Sequence, residues 1–306
     1  MKYKYGLLSY RNTNNIGDEI QSIASNNFLM QVNELIERDK ISKYKGEKVK
    51  LILNGWFMNE PKNFPPSKNI LPLFISFHID PRCYKELLSQ KCIEYYKKYQ
   101  PIGCRDYTTK KVLEEKGVKC YFSGCLTLTL NKIGLEKNNK ILLVDVDKEI
   151  EDKIPDKFKK DIINLTHYND SDTIIRFKKF IYSSELIKKI TNNPYIKKIK
   201  RKLLTENKSS KEKFEEAENL LRMYEQARFI ITSRIHVALP CLALGTNVVL
   251  IVDDKNDARY EGLIELLNCY THKEYMNKEF DFEKNPETYK KYRNELIKTC
   301  EEFLND

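Results

Sequence analysis

Two arginines stand where this chain turns from a short extended run into a helical pattern, in Cys104-Arg105-Asp106 and in Ser233-Arg234-Ile235-His236. Asp106 and Ser233 are residue types that cap helix starts, and the helical patterns behind them stop at Gly117 and Gly245. A helix N-terminus carries unsatisfied N–H groups and a positive dipole end, and a guanidinium adds a planar two-pronged donor. Each junction is a candidate anion site, and two of them in separate halves suit a cleft holding a small polyanion. An ion pair with adjacent Asp106 competes for Arg105, whereas Arg234 has no acidic neighbour within its motif. His236 can donate a proton beside a bound phosphate; a helix dipole lowers its pKa and a bound anion raises it.

Ligands of open parallel sheets gather outside the carboxyl ends of the strands, so the loops after predicted strands supply the remaining candidates. The first holds Asn15-Ile16-Gly17-Asp18, where Gly17 permits a tight turn and Asp18 either caps the next helix or meets ligand. In Asn54-Gly55-Trp56 the glycine allows close backbone approach, and the sole tryptophan serves as a sugar-stacking surface or as a core filler. His78 occupies the equivalent rim position, to bind an acceptor hydroxyl or satisfy a carbonyl. Ser123, in Ser123-Gly124-Cys125, and Ser233 complete the substrate-binding candidates, with His167 a weaker one. Pro240 is expected to kink the second helix or mark a late start.

These residues need a frame. Extended runs at 3–9, 48–53, 71–77 and 119–122 alternate with helical patterns at 19–30, 84–99 and 109–116. The grammar restarts with strands at 141–144 and 162–165, a helix at 215–226, strands at 229–232 and 248–252, and helices at 260–267 and 286–304. Such alternation predicts an α/β protein with parallel sheets. The expected division is an N-terminal domain over 1–137, a C-terminal domain over 138–285, and a terminal helix over 286–306 packing back across them. Gly134 and the polar run 137–140 make the linker.

Composition narrows the partners. The chain has 306 residues, enough for two cores, and 54 Lys plus Arg against 44 Asp plus Glu give a net charge of +10. An anionic partner is expected. The lysine-rich stretch 176–213, including Lys197-Lys198-Ile199-Lys200-Arg201-Lys202, reads as a solvated helical face, or as a patch for an anionic membrane surface. No nucleic-acid partner is expected, since no recognisable module or aromatic interleaving accompanies the lysines. Eight cysteines without a CxxC pair read as reduced thiols, and no metal-ligand spacing, Walker loop, GxGxxG or GxSxG occurs. Without a signal-peptide core or an apolar run of membrane-spanning length, the expectation is a cytoplasmic protein, peripheral to the inner face of the membrane if the lysine patch engages it.

Together, Asn15-Ile16-Gly17-Asp18, Asn54-Gly55-Trp56, Gly103-Cys104-Arg105-Asp106 and Ser233-Arg234-Ile235-His236 with Leu244-Gly245-Thr246 resemble the polysaccharide pyruvyl transferase family. The most specific element is Arg-Ile-His followed by a small-residue helix, a glycine and a strand. The resemblance implies two Rossmann-like domains facing a central cleft, similar to the GT-B glycosyltransferases, the N-terminal one on the acceptor side and the C-terminal one on the donor side, with no metal or cofactor. It further implies phosphoenolpyruvate as donor and a sugar or lipid-linked oligosaccharide as acceptor, the pyruvyl group becoming a cyclic ketal. Carried onto this chain, Arg105 and Arg234 hold the donor's carboxylate and phosphate, and His236 contacts phosphate or protonates the donor. Many members have Asp where this chain has Ser123-Gly124-Cys125, so Cys125 takes no catalytic role. Two other readings compete. A glycosyltransferase of the same architecture would need a ribose-binding carboxylate, with Asp253, Asp254 and Glu261 available, and a non-catalytic anion- or glycan-binding protein would keep the fold without turnover.

Overall fold

The alternating runs build two wholly parallel sheets. The computed structural model of the chain describes residues 3–11, 13–57, 59–167 and 208–305. The first sheet holds β1 (Lys4–Ser9), β2 (Glu34–Glu37), β3 (Val49–Trp56), β4 (Ile70–His78), β5 (Ile102–Cys104) and β6 (Cys120–Phe122), in the order β2-β1-β3-β4-β5-β6. The second holds β7 (Ile141–Val144), β8 (Ile162–Leu165), β9 (Phe229–Thr232), β10 (Asn247–Val252) and β11 (Asn268–Thr271), in the order β11-β10-β9-β7-β8. In each sheet the second strand lies on one side of the first and the third on the other. Strand order therefore reverses between β1 and β3 and again between β7 and β9, opening a crevice at each point. The expected α/β class with two Rossmann-like units is what the chain forms.

Among the described residues the helices are α1 (Gly17–Asn26), α2 (Tyr84–Leu87), α3 (Gln90–Lys98), α4 (Tyr107–Glu114), α5 (Lys148–Asp152), α6 (Asp156–Lys159), α7 (Ser210–Gln226), α8 (Ile235–Leu244), α9 (His272–Asn277) and α10 (Tyr289–Asn305). The sheets bury both faces. Along β7, Ile141 and Leu143 join one core with Phe229 and Val249, while Leu142 and Val144 join another with Ile230 and Leu250. This second core runs through both halves, because it also takes Ile52 and Ile75 from the first sheet and Ile20, Tyr224, Val237 and Leu296 from α1, α7, α8 and α10.

Specific bonds fasten the halves. The carboxylate of Glu225, at the end of α7, accepts the backbone N–H groups of Ile133 and Gly134 at 2.8 and 2.7 Å. Lys137 Nζ donates to Thr246 Oγ1 at 2.5 Å, so the connecting segment is pinned to the second half. Lys50 Nζ, from β3, donates to the carbonyl of Phe303 at 2.7 Å, satisfying an end carbonyl of α10.

Two helix expectations are corrected. The helix expected over 84–99 divides at Ser89, which takes extended angles (φ −63, ψ 155) at the start of α3. The helix expected over 260–267 is replaced by turns and one 3₁₀ turn (Ile264–Leu266). Its obstacle is Gly262 at φ +79, where a Cβ would stand 2.7 Å from the Phe122 ring. Pro240 lies inside α8, which runs on to Leu244; a proline supplies no N–H to the carbonyl four residues back, that of His236. No described helix is long and apolar enough to cross a membrane. The lysine cluster over 197–202 lies outside the described residues.

Candidate functional site

Both crevices open onto one cavity of about 110 Å³. The first half lines it with Asn15, Asp18, Trp56 and Arg105, the second with His167, Ser233, Arg234, Ile235, His236, Arg259 and Tyr260. The two arginine junctions, 129 residues apart in sequence, thus meet because each follows a strand of a parallel sheet.

Arg105 follows β5 and is fixed by its backbone N–H, which donates to the carbonyl of Phe77 at 2.9 Å. Only 5% of it is exposed, its Nε has no hydrogen-bond partner, and it forms no ion pair among the described residues. Adjacent Asp106 is committed elsewhere. One carboxylate oxygen accepts the N–H of Thr109 at 2.7 Å, capping α4 as expected, and the other lies 2.6 Å from His78 Nδ1. The competing Arg105–Asp106 ion pair is therefore not formed. A buried guanidinium without a direct ion pair is costly, and an anion in the cavity would relieve that cost.

Arg234 shows the opposite pattern. Its Nε donates to Asp145 Oδ2 at 2.8 Å, so the acidic neighbour missing from its motif comes from the end of β7, 89 residues away in sequence. Ser233 is not the helix cap expected of it: Arg234 occupies that position without a side-chain cap, and Ser233 Oγ donates to the carbonyl of Asp145 at 2.6 Å.

His236 sits in the first turn of α8 with its Nε2 buried and unpartnered. Burial, then the charge of Arg105, pushes its pKa well below the usual imidazole range, so without an anion it is neutral. Gly17 explains how α1 comes so close: a Cβ there would lie 2.9 Å from both Cβ and Nδ1 of His236. His167 borders the same space. Its Nδ1 is 3.3 Å from the Tyr224 hydroxyl, its carbonyl accepts the N–H of Ile16 at 3.1 Å, and burial lowers its pKa to about 4.

Of the other sequence candidates, Trp56 lines the cavity, its ring centroid 6.4 Å from that of His78. His78 itself is wholly buried beside the cavity; burial and Arg105 lower its pKa against the opposing pull of Asp106. Asp18 touches the cavity but accepts from Arg38 Nη1 at 3.3 Å, and Ile16 rather than Asp18 precedes the helix as its cap residue. Asn54 and Ser123 lie off the cavity. Asn54 Nδ2 donates to the Gln21 carbonyl at 2.8 Å and joins α1 to β3. Ser123 Oγ accepts the N–H of Ser76 at 3.0 Å, steadying a residue at φ +54. Gly55, at φ +88, lets β3 pass Gln21, whose Oε1 would be 2.8 Å from a Cβ.

Asp145, Arg259 and Tyr260 are the site residues that sequence reasoning missed. Arg259 is half-exposed and forks onto Asp257, two residues earlier, at 2.6 and 3.0 Å. That local Asp-x-Arg pairing was the available signal. Of the possible ribose carboxylates, Glu261 is taken by Thr108 Oγ1 at 2.6 Å and Asp254 by the N–H of Asn256 at 2.9 Å. No group of three or more metal-ligating side chains occurs among the described residues.

Among solved structures, the chain is similar to the UDP-GlcNAc 2-epimerase of Methanocaldococcus jannaschii in complex with UDP-GlcNAc and UDP. That likeness has a TM-score of 0.41 at 12% identity, covering 96% of this chain and 98% of that one. No functionally curated protein matches the sequence significantly. The family model for polysaccharide pyruvyl transferase matches residues 15–255, taking in both arginine junctions and the Gly17 loop, and the chain belongs to that family.

Proposed function

We propose that this transferase moves the pyruvyl group of phosphoenolpyruvate onto two hydroxyls of a glycan sugar, forming a cyclic ketal. The observation that carries the reading is Arg105, a buried guanidinium without an ion-pair partner at the rim of a cavity that also holds Arg234 and His236. Phosphoenolpyruvate offers a carboxylate and a phosphate, which suits two guanidinium groups brought from opposite halves.

Chemically, C3 of the donor gains a proton and C2 becomes electrophilic. One sugar hydroxyl adds there and loses its proton. The C2–O bond to phosphate then breaks, and the second hydroxyl closes the ring as its proton leaves. The protein's part is to clamp both anionic groups and deliver a proton near C3. His236 is suited to that delivery: it is neutral in the empty site, and a bound anion would favour its protonated form. Trp56 offers an apolar face for the acceptor ring, and the candidates to receive a hydroxyl proton are Asp18, which lines the cavity, and the buried His78–Asp106 pair behind Trp56.

Calorimetric titration with phosphoenolpyruvate, with a nucleotide sugar in parallel, tests the donor. Arg105→Ala is expected to weaken phosphoenolpyruvate by roughly 100-fold, as for loss of a charged contact. His236→Gln is expected to bind the donor while turnover falls about 10²–10⁴-fold. Binding of the nucleotide sugar alone would replace this reading with glycosyl transfer.

A further inference from the structure

Asp145 is an unusual residue in an unusual place. It follows β7 at φ +54, a left-handed conformation that a side chain adopts at a cost. That twist turns the residue into a junction. Its N–H donates to the Leu165 carbonyl at 3.1 Å, and its own carbonyl accepts the Ser233 hydroxyl at 2.6 Å. Its Oδ2 accepts both the N–H of His167 at 3.0 Å and Nε of Arg234 at 2.8 Å. The ends of β7, β8 and β9 are thereby tied together at the second crevice, and the Arg234 guanidinium is held at the same point.

A carboxylate next to an anion site weakens it electrostatically, so attraction of the donor does not account for Asp145. Geometry does. A guanidinium is planar, and fixing its Nε fixes the direction in which its two amino groups are presented. We propose that Asp145 is a positioning residue that holds Arg234 in the orientation required for the anionic donor, accepting some repulsion in exchange for order. The donor half of this statement rests on the pyruvyl-transfer reading; the orientation half does not.

Two variants test it at a position where glycine and asparagine both tolerate positive φ, the Asp145→Asn variant keeping an acceptor for the His167 N–H. Asp145→Gly removes the side chain and relieves the strained conformation; Asp145→Asn keeps an acceptor oxygen and removes the charge. In protein labelled with ¹⁵N-arginine, the Arg234 Nε–H signal, identified by its loss in Arg234→Lys, is expected to be shifted and slow to exchange in the wild type. It should persist in Asp145→Asn and merge with the solvent-exposed arginines in Asp145→Gly. An unchanged signal in Asp145→Gly overturns the proposal whatever the donor is. With phosphoenolpyruvate, kcat/KM should fall roughly 10- to 100-fold in Asp145→Gly and recover most of that loss in Asp145→Asn. Tighter donor binding by Asp145→Gly would also overturn it, marking Asp145 as a mere opposing charge. Failure of the wild type to bind phosphoenolpyruvate would instead sink the donor assignment, with the Nε–H result still deciding the orientation.

Discussion

At Gly17 the absence of one methyl group sets where the His236 imidazole stands. A Cβ would lie 2.9 Å from two atoms of His236, nearer than side chains pack. The backbone has little room to retreat, since the N–H of Ile16 is bound to the His167 carbonyl at 3.1 Å and Asp18 to Arg38 at 3.3 Å. Gly17→Ala should therefore displace the ring and leave the arginines in place. We expect turnover to fall on the order of 100-fold, with phosphoenolpyruvate affinity and Tm little changed; an unaltered kcat would show that His236 does not depend on this contact. The sequence made Gly17, His236 and both arginines visible through their motifs. It hid which arginine is paired. Asp106 is adjacent to Arg105 yet turns to His78, while Arg234 finds its partner across the second sheet.

Among elements, α1 carries an acid–base cluster that should govern stability as pH changes. Glu19 is 2% exposed with one carboxylate oxygen unpartnered; burial, then the neighbouring Asp18 charge, raises its pKa to about 8. The charge of Lys213, a buried residue of α7, acts in the opposite sense, its Nζ bonded to the carbonyls of Tyr10 and Thr13 at 2.8 and 2.7 Å. For an acid whose folded pKa lies above its unfolded value, the folded state binds the extra proton. That stability is full below the ordinary 4.5 and is lost as pH rises through about 8. The neutral histidines act in the other sense: for His167, stability is full above the ordinary 6.5 and is lost as pH falls toward about 4. Glu19→Gln cannot ionise, so its Tm relative to wild type should climb between pH 5 and pH 9, with both proteins losing stability below about pH 6. A difference constant across that range would show that Glu19 does not titrate as the fold implies. Element by element, long apolar strands were legible because burial on both faces demands continuous apolar runs. The short edge strand β2, Glu34–Glu37, has two acids in four residues and reads as a loop. The turn at Gly262 was hidden because only its contact with Phe122, far off in sequence, reveals why the position takes glycine.

The whole molecule is better described by its shared core than by its two sheets. Leu296 and Cys300 of α10 are 1% and 0% exposed in a core that also contains Ile75 of the first sheet and Leu250 of the second. Polar bonds reinforce that bridge: Arg293 Nη1 donates to the Leu128 and Leu130 carbonyls at 2.5 and 3.0 Å, and Lys50 closes the helix end. Burying Leu296 alone contributes about 2 kcal/mol, and the partly buried Tyr289, Tyr292 and Phe303 add to it. The total is a sizeable share of the 5–15 kcal/mol (about) that holds a typical domain folded. Neither half should then be stable without the other. In the intact chain, thermal unfolding followed by the fluorescence of Trp56, the sole tryptophan and a first-half probe, should coincide with the far-ultraviolet dichroism of both halves. Removing residues 286–306 should lower both transitions together. Separate transitions, or a truncated chain that loses only the Trp56 signal, would mean that the cavity lies between two independent domains, and that its arginines are brought together by docking instead of by one cooperative fold.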